Sequence, residues 1–600
     1  MDADTRTIPV SLAPILPPAL RKWTLPIEPA LRRLLIPNRV ACAMEAAPRS
    51  GGADFCRGIL EYLNIRFDAS AADLRRIPAK GSVIAVSNHP FGIVEGLVLS
   101  VILERARPDW KILANSMLSG LGDLRPHLVS VNPFGGAVKQ NVAPMRESLD
   151  WVASGGLLAL FPGGEVASLN WQEQPVADPP WKDTAARLAI RSRCPVIPMY
   201  FEGSNSLSFQ VAGTLHPSLR TLSLARELEK LSGKAVRLRI GNLIPSSLLA
   251  AYSDAATATR YLRSRTYFLA KRSEPKPIPP VSTTPVRTVA PADVERRLSE
   301  EVAALPPSFR LTANTEFSVY LAPAGAIPRI LQEIGRCREI AFQAVGEGSG
   351  RASDLDDFDR HYQHLFLWSE KDSRLVGAYR LAVTSDVLPR FGVAGLYTST
   401  LFRFDPRLFD ATGPAVELGR SFVMPDYQKN YASLLLLWKG ITRAIQRRPE
   451  APLLFGAVSI SNQYQAASRS LMVTYLSSRA GHELARFVQP RRPFRHRTLR
   501  DGQVRRIAGV AADIEGVSLS IADIEPDAKG VPVLLRQYLK AGGRLLGFNL
   551  DPEFSDVLDA LIIADLRTAS PALLQRCMGA AEARAFFAFY GRSEGSLTLC

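Results

Sequence analysis

The stretch Ser273-Glu274-Pro275-Lys276-Pro277-Ile278-Pro279-Pro280-Val281-Ser282-Thr283-Thr284-Pro285 sets five prolines among thirteen residues. Each proline fixes φ and removes a backbone donor, and too few apolar side chains remain to pack, so the segment reads as an extended linker between folded bodies. A chain of 600 residues is also too long for one hydrophobic core. The expected division is a basic N-terminal segment over 1–59, an α/β domain over 60–272, the linker over 273–295 and an α+β domain over 296–600.

In the first domain the apolar run 83–86 reads as a buried strand and 97–103 as the start of a helix. Between them, Ser87-Asn88-His89-Pro90-Phe91-Gly92-Ile93-Val94-Glu95-Gly96 falls at a strand's carboxyl end, where α/β sheets bind their ligands. His89 with the carboxylate of Glu95 six positions on can move a proton. A histidine by itself at such a place is more often a loop cap; here two further blocks accompany it. Residues 156–160 read as a second buried strand, running into Phe161-Pro162-Gly163-Gly164-Glu165-Val166-Ala167-Ser168, a turn whose N–H groups can face an oxyanion. A third strand, 195–201, ends in Glu202-Gly203-Ser204-Asn205-Ser206. Three such strand ends imply one cleft, with Asn88, Phe161, Pro162, Gly163, Gly164, Glu165, Ser168 and Asn205 as substrate-binding candidates.

Past the linker, 317–321, 365–368, 375–383, 417–423 and 453–460 read as strands, and 333–345 and 433–447 as helices. That mixed order predicts an α+β sheet rather than a parallel one. Asp354, Asp356, Asp357 and Asp359 stand just ahead of His361 and His364 without the glycine and distal Glu of a calcium loop. A histidine–carboxylate metal site or a helix-capping acidic turn fits them; no metal is assigned. Glu417 and Arg420 lie three apart, so a regular strand would send them to opposite faces, whereas a bulge at Leu418-Gly419 would bring both to one. They then form either a catalytic pair or a buried ion pair.

No apolar run reaches the roughly 18 residues of a membrane span, and no signal-peptide core opens the chain. Cys42, Cys56, Cys194, Cys337, Cys577 and Cys600 show neither zinc spacing nor a disulfide framework, so a reducing, cytoplasmic setting is expected. The 73 Lys and Arg exceed the 57 Asp and Glu by 16, which suits an anionic membrane surface or an acidic protein. No nucleic-acid module accompanies the charge, and no nucleic-acid partner is expected. Residues 29–36 read as an amphipathic helix, with Trp23 at headgroup depth or the helix packed on the domain. Arg486, Arg491, Arg492, Arg495, Arg497, Arg500, Arg505 and Arg506 form either a solvated surface or a docking patch.

Over about 60–250, the order of the His89, Phe161-Pro162 and Val196-Ile197-Pro198 blocks resembles the glycerolphosphate and lysophospholipid acyltransferases. That resemblance implies His89 as the base that takes the acceptor hydroxyl's proton and Glu95 as the carboxylate that orients it. The His-to-carboxylate spacing is one residue longer than the family's, and no Arg follows the Phe-Pro turn. The missing Arg, the residue suited to bidentate phosphate binding, argues against a phosphate-bearing acceptor.

Arg338, Phe342, Glu347, Asp356, Asp359, Arg380, Glu417 and Arg420 are similar in order to acyl-homoserine-lactone synthases. The wider text over about 315–465 resembles the hemolysin-related N-acyltransferases that make lyso-ornithine lipid, which implies a GNAT-like fold. In that resemblance Glu417 and Arg420 face the acyl donor and the amine acceptor, while Asp356, Asp359 and Arg380 shape the donor side. The turn 425–433 has no glycine to cradle a pyrophosphate, which favours acyl carrier protein over coenzyme A as the thioester donor, with no bound cofactor. Taken together, the chain resembles the bifunctional ornithine-lipid synthases. That implies N-acylation of an amino acid, then O-acylation of the lyso-lipid, by an enzyme peripheral on the inner face of the cytoplasmic membrane. Glycine or another amine as acceptor, a lysophospholipid acyltransferase and a non-enzymatic lipid-binding scaffold are the alternatives.

Overall fold

The computed structural model of the protein describes residues 36–115, 122–131, 140–170, 174–210, 217–273, 291–428, 430–554 and 556–591. Residues 29–35 of the expected amphipathic helix and 274–290 of the linker lie outside them. The chain forms two compact units, Met1–Glu274 with Arg500–Gly530 and Pro275–Leu499 with Val531–Cys600.

The first unit is built on seven strands: β1 (Arg66–Asp68), β2 (Val83–Ser87), β3 (Trp110–Asn115), β4 (Leu128–Val131), β5 (Leu157–Leu160), β8 (Val196–Glu202) and β9 (Ala235–Ile240), with a separate hairpin of β6 (Ser168–Asn170) and β7 (Gln174–Ala177). Their order is β1-β9-β8-β2-β5-β3-β4, and only β8 and β9 pair antiparallel. Every residue of β2 and β5 is buried, which is why both read as unbroken apolar runs: a parallel strand is covered on both faces. Because β8, β2 and β5 are parallel neighbours, their carboxyl ends meet along one edge.

The segment 500–530 enters this unit through a buried charge. Asp523, fully buried near the end of the helix Ile514–Ile524, accepts a 2.7 Å bond from Arg265 Nε and bonds of 2.6 and 3.0 Å from Asn242 N and Nδ2. An ionised carboxylate on an apolar helix is unstable in a core without such partners, so the helix docks where Arg265 waits. The domain that the sequence reads as continuous over 296–600 is therefore interrupted.

The second unit carries eight strands: β10 (Arg310–Ala313), β11 (Phe317–Pro323), β12 (Gln363–Ser369), β13 (Arg374–Val383), β15 (Ala415–Val423), β16 (Leu453–Ile460), β18 (Arg544–Asp551) and β19 (Val557–Asp565), in the order β10-β11-β12-β13-β15-β16-β19-β18. A small pair, β14 (Phe402–Phe404) and β17 (Val488–Pro490), stands apart. All neighbours in the large sheet are antiparallel except β15 and β16, as the α+β expectation requires. That parallel pair is joined only over Ala415, Val416 and Glu417 with Leu453, Leu454 and Phe455. One step on, a Cβ on Gly456 would lie 2.1 Å from the Leu418 carbonyl oxygen, so only glycine fits; beyond it the two strands continue without pairing. The unpaired stretch borders a pocket lined by Tyr379, Leu418, Ser421, Gly456, Val458 and Tyr538.

Candidate active sites

In the first unit each strand end contributes one fixed group. Asn88, directly after β2, donates from Nδ2 to the Phe201 carbonyl (2.9 Å) and accepts from the Phe201 N–H at Oδ1 (2.7 Å), locking the ends of β2 and β8 together. Asn205, beyond β8, donates to the Phe91 carbonyl at 3.0 Å and so fixes the loop from its other side. Phe161, at the end of β5, stacks on the His89 ring with centroids 4.4 Å apart. The His89 backbone is held twice: its N–H donates to Asp178 Oδ1 (3.0 Å) and its carbonyl accepts from Ala167 N (2.9 Å).

Glu95 is fully buried in the first turn of the helix Val94–Ala106. Its oxygens accept from the N–H groups of Phe91 and Gly92, at the positive end of the helix, while Oε1 lies 3.4 Å from His89 Nδ1. The carboxylate therefore shapes the loop and faces the ring, leaving Nε2 as the nitrogen that can take a proton. Burial would lower the His89 pKa, but Glu95 and then Asp178 outweigh it, and the imidazole is raised above its ordinary value.

The Phe-Pro turn is partly spent on itself. Gly164 N–H donates to the Phe161 carbonyl at 3.0 Å, and the left-handed φ of +70° at Gly164 closes the turn. Pro162 and Gly163 are buried; Gly164 and Glu165 are exposed; Ser168 opens β6. The carboxylate beside the His89 ring is Glu95.

Sequence reasoning missed Asp178, Trp181 and Lys182. Asp178 is buried, accepts from His89 N and Trp181 Nε1, and has its own N–H bonded to Tyr267 Oη. Burial raises its carboxyl pKa more than those hydrogen bonds lower it. The available signal was Asp178-Pro179-Pro180-Trp181, an acid held before two prolines. Lys182 donates its N–H to the Pro162 carbonyl and brings Nζ to 3.4 Å from where a Gly164 Cβ would stand. It sets a cation against a turn that itself holds no Arg.

In the second unit the acidic run is a capping turn filled by guanidiniums. Asp356 and Asp359 form a capping box around Asp357–Arg360. Arg338 pairs with Asp359 (3.2 Å) and Asp354 (3.9 Å), Arg380 with Asp356 and Asp359, and Arg420 with Asp356 (3.6 Å) and Asp354 (3.7 Å). Three cations thus meet three carboxylates. Burial would raise Asp359, but Arg338 and Arg380 hold it far below the ordinary carboxylate range. His364 is buried with Nε2 on the Asp359 carbonyl, and burial pulls its pKa down to about 4.

The structure separates Glu417 from Arg420. Glu417 is buried and accepts from Tyr362 Oη, Tyr397 N (3.2 Å) and Thr398 N (2.7 Å), so both oxygens are committed to the fold. The Glu417 carboxylate anchors the loop at Tyr397. The bulge exists, but one residue later than expected. Pairing of β13 with β15 shifts between Phe422 and Gly419, and the left-handed residue is Arg420 itself, φ +50°. Holding a non-glycine there costs on the order of 1 kcal/mol. The strained backbone aims the guanidinium between the rings of Tyr397 (4.7 Å) and Phe554 (4.4 Å).

A family model described as acyltransferase matches residues 51–274, and one described as acetyltransferase (GNAT) domain matches residues 337–439. The chain is an acyltransferase. It is similar to a protein of Bacteroides thetaiotaomicron named glycine N(alpha)-acyltransferase, 29% identical over 269 residues, which covers 42% of this chain and 79% of that one. A protein of the same name from Phocaeicola vulgatus is 30% identical over 195 residues, 31% of this chain and 60% of its own. A lyso-glycine lipid O-acyltransferase from Phocaeicola vulgatus is 29% identical over 201 residues, 32% of this chain and 70% of its own. Among the described residues no helix is long and apolar enough to cross a membrane.

Proposed function

We propose that the chain makes an acylated amino-acid lipid in two steps. The C-terminal domain transfers a 3-hydroxyacyl group from acyl carrier protein to the α-amine of an amino acid, ornithine by the resemblance in its sequence. The N-terminal domain then acylates the new 3-hydroxyl. As that hydroxyl attacks the second thioester carbonyl, His89 Nε2 takes its proton, and Glu95 keeps the ring oriented. Lys182 meets the carboxylate of the lyso-lipid at the Phe161–Pro162 turn, where a phosphate-bearing acceptor would call for Arg.

The observation that carries this reading is the joint presence of two acyltransferase domains on one chain, one with an imidazole fixed at three parallel strand ends. Fusion of the two raises the local concentration of the intermediate at the second site. The unpaired stretch between β15 and β16 would admit the donor's pantetheine arm. The net charge of +16 suits both an acidic carrier protein and contact with an anionic membrane on the cytoplasmic side.

A second reading takes glycine as the acceptor, favoured by the names of the relatives. Lipid extraction from a heterologous host expressing the chain, followed by mass spectrometry, tests both. Di-acylated ornithine supports the first reading and di-acylated glycine the second. A host lipidome without new amide-linked species overturns both.

A further inference from the structure

The second unit keeps three carboxylates that the guanidinium network does not use. Asp559 on β19 stands opposite Ser459 on one side and Asn549 on the other, so the three share a face of the sheet. Asp551, two residues beyond Asn549, shares that face. Ser459 Oγ donates to Glu347 Oε2 at 2.6 Å, which brings Glu347 to the same place. Asp559 is 6% exposed, and its Oδ2 is buried with no hydrogen-bond donor among the described residues. No Lys or Arg lies within ion-pair distance of Glu347, Asp551 or Asp559 there.

The second group is of opposite sign and is held by Asp354 and Asp356 only at 3.6–3.7 Å. The Arg420 side chain is only 10% exposed, and its buried Nε makes no hydrogen bond. Its guanidinium lies over Phe554, three residues past Asp551, and Phe554 in turn touches Phe342, whose carbonyl accepts from Glu347 N. The charge of Arg420 is felt at both Asp551 and Asp559. A cation whose own carboxylates, Asp354 and Asp356, stand at 3.6–3.7 Å, beyond hydrogen-bond distance, together with a carboxylate oxygen that has no donor, complements a zwitterion.

We propose that Arg420 and Asp559 bind the two ends of an α-amino acid acceptor, Arg420 its carboxylate and Asp559 its ammonium, and that Asp559 takes the ammonium proton. Glu347 and Asp551 reinforce the anionic side. The proton leaves nitrogen for Asp559 Oδ2, and the free amine attacks the thioester carbonyl. The C–N bond forms, the C–S bond breaks, and the second nitrogen proton leaves with the thiolate as thiol. A base for an ammonium works best with its carboxyl above the ordinary range, and burial, then Asp551 and Glu347, raise Asp559 well above it.

This inference rests on the amino-acid reading of the C-terminal domain. The test uses the full chain carrying His89→Ala, so that only amide formation is read, with 3-hydroxyacyl–acyl carrier protein as donor. Glycine and ornithine are the acceptors, and aminooxyacetate, whose amine is uncharged at neutral pH, is the comparison. Asp559→Asn is expected to lower kcat/KM for the amino acids at least 100-fold at pH 7. That loss should shrink as pH rises and solution supplies free amine, and it should be under tenfold for aminooxyacetate. The melting temperature should hold or rise, since a repelling buried charge is removed. Undiminished activity, or an equal loss on all three acceptors at every pH, overturns the proposal. If Asp559→Asn melts early, the wild-type pH profile decides: an acid limb with amino acids that is also present with aminooxyacetate overturns it. If no amino acid is acylated by the parent chain, the function reading itself has failed. If amino acids are acylated and the variant behaves as the parent, only the subsite has.

Discussion

At the residue scale the two histidine partners divide their work. Glu95 faces Nδ1 and Asp178 holds the His89 backbone, and both anions raise the imidazole pKa against the burial that lowers it. As the proposed base His89 would act only when neutral, so ester formation should rise with pH through a pKa above the ordinary value of about 6.5. Asp178→Asn removes one anion and is expected to move that limb to lower pH, which a pH profile of kcat/KM for O-acylation measures; an unmoved limb would remove Asp178 from the site's electrostatics. His89→Ala should abolish ester formation while amide formation continues, so the lyso-lipid accumulates in extracts. Glu95→Gln is expected to lose about 100- to 10,000-fold, because an amide NH2 against Nδ1 forces the proton onto Nε2, the wrong tautomer for a base. Its loss should not exceed that of His89→Ala.

Elements carry the next level of specificity. The β15 strand departs from its regular period at Arg420, and this departure alone lets Glu417 point into the Tyr397 loop while Arg420 reaches Phe554. Glu417→Ala would leave the Thr398 N–H and the Tyr362 hydroxyl without their acceptor, while the Tyr397 N–H keeps the Tyr362 oxygen at 2.8 Å, and a loss of about 2–5 kcal/mol is expected in chemical denaturation. An activity loss with unchanged stability would instead return Glu417 to a chemical role. The acidic turn beside it is pH-sensitive in a defined direction. Asp359 has its folded pKa depressed by Arg338 and Arg380, so its contribution is complete above the unfolded value of about 3.9 and is lost as pH falls below that. Melting temperature measured between pH 5 and 3 should therefore fall more steeply for the parent than for Asp359→Asn.

For the whole molecule, the decisive feature is that 500–530 belongs to the first unit. Arg265 is fully buried with Asp523 as its carboxylate, so Asp523→Ala should cost about 3–5 kcal/mol and a fragment ending at Glu274 should be far less stable than the full chain. Thermal melts of the fragment alone and with a peptide spanning 500–530 test this; a fragment as stable as the parent refutes it. Much of both sheets was legible in the sequence because apolar periodicity is local: 453–460 was bounded as found, and 83–86, 156–160 and 375–383 within a residue or two. The His89, Phe161 and Asn205 blocks were legible too, since each follows its own strand, and parallel pairing then makes them neighbours. Four things lay beyond the sequence: Asp178 behind His89, the bulge at Arg420 rather than Gly419, the committed oxygens of Glu417, and the buried Asp559 Oδ2 left without a donor among the described residues. Each depends on which distant donor or charge reaches a buried group. Local sequence determines strands, turns and their polar ends; only tertiary packing decides which buried charges are satisfied and which are not.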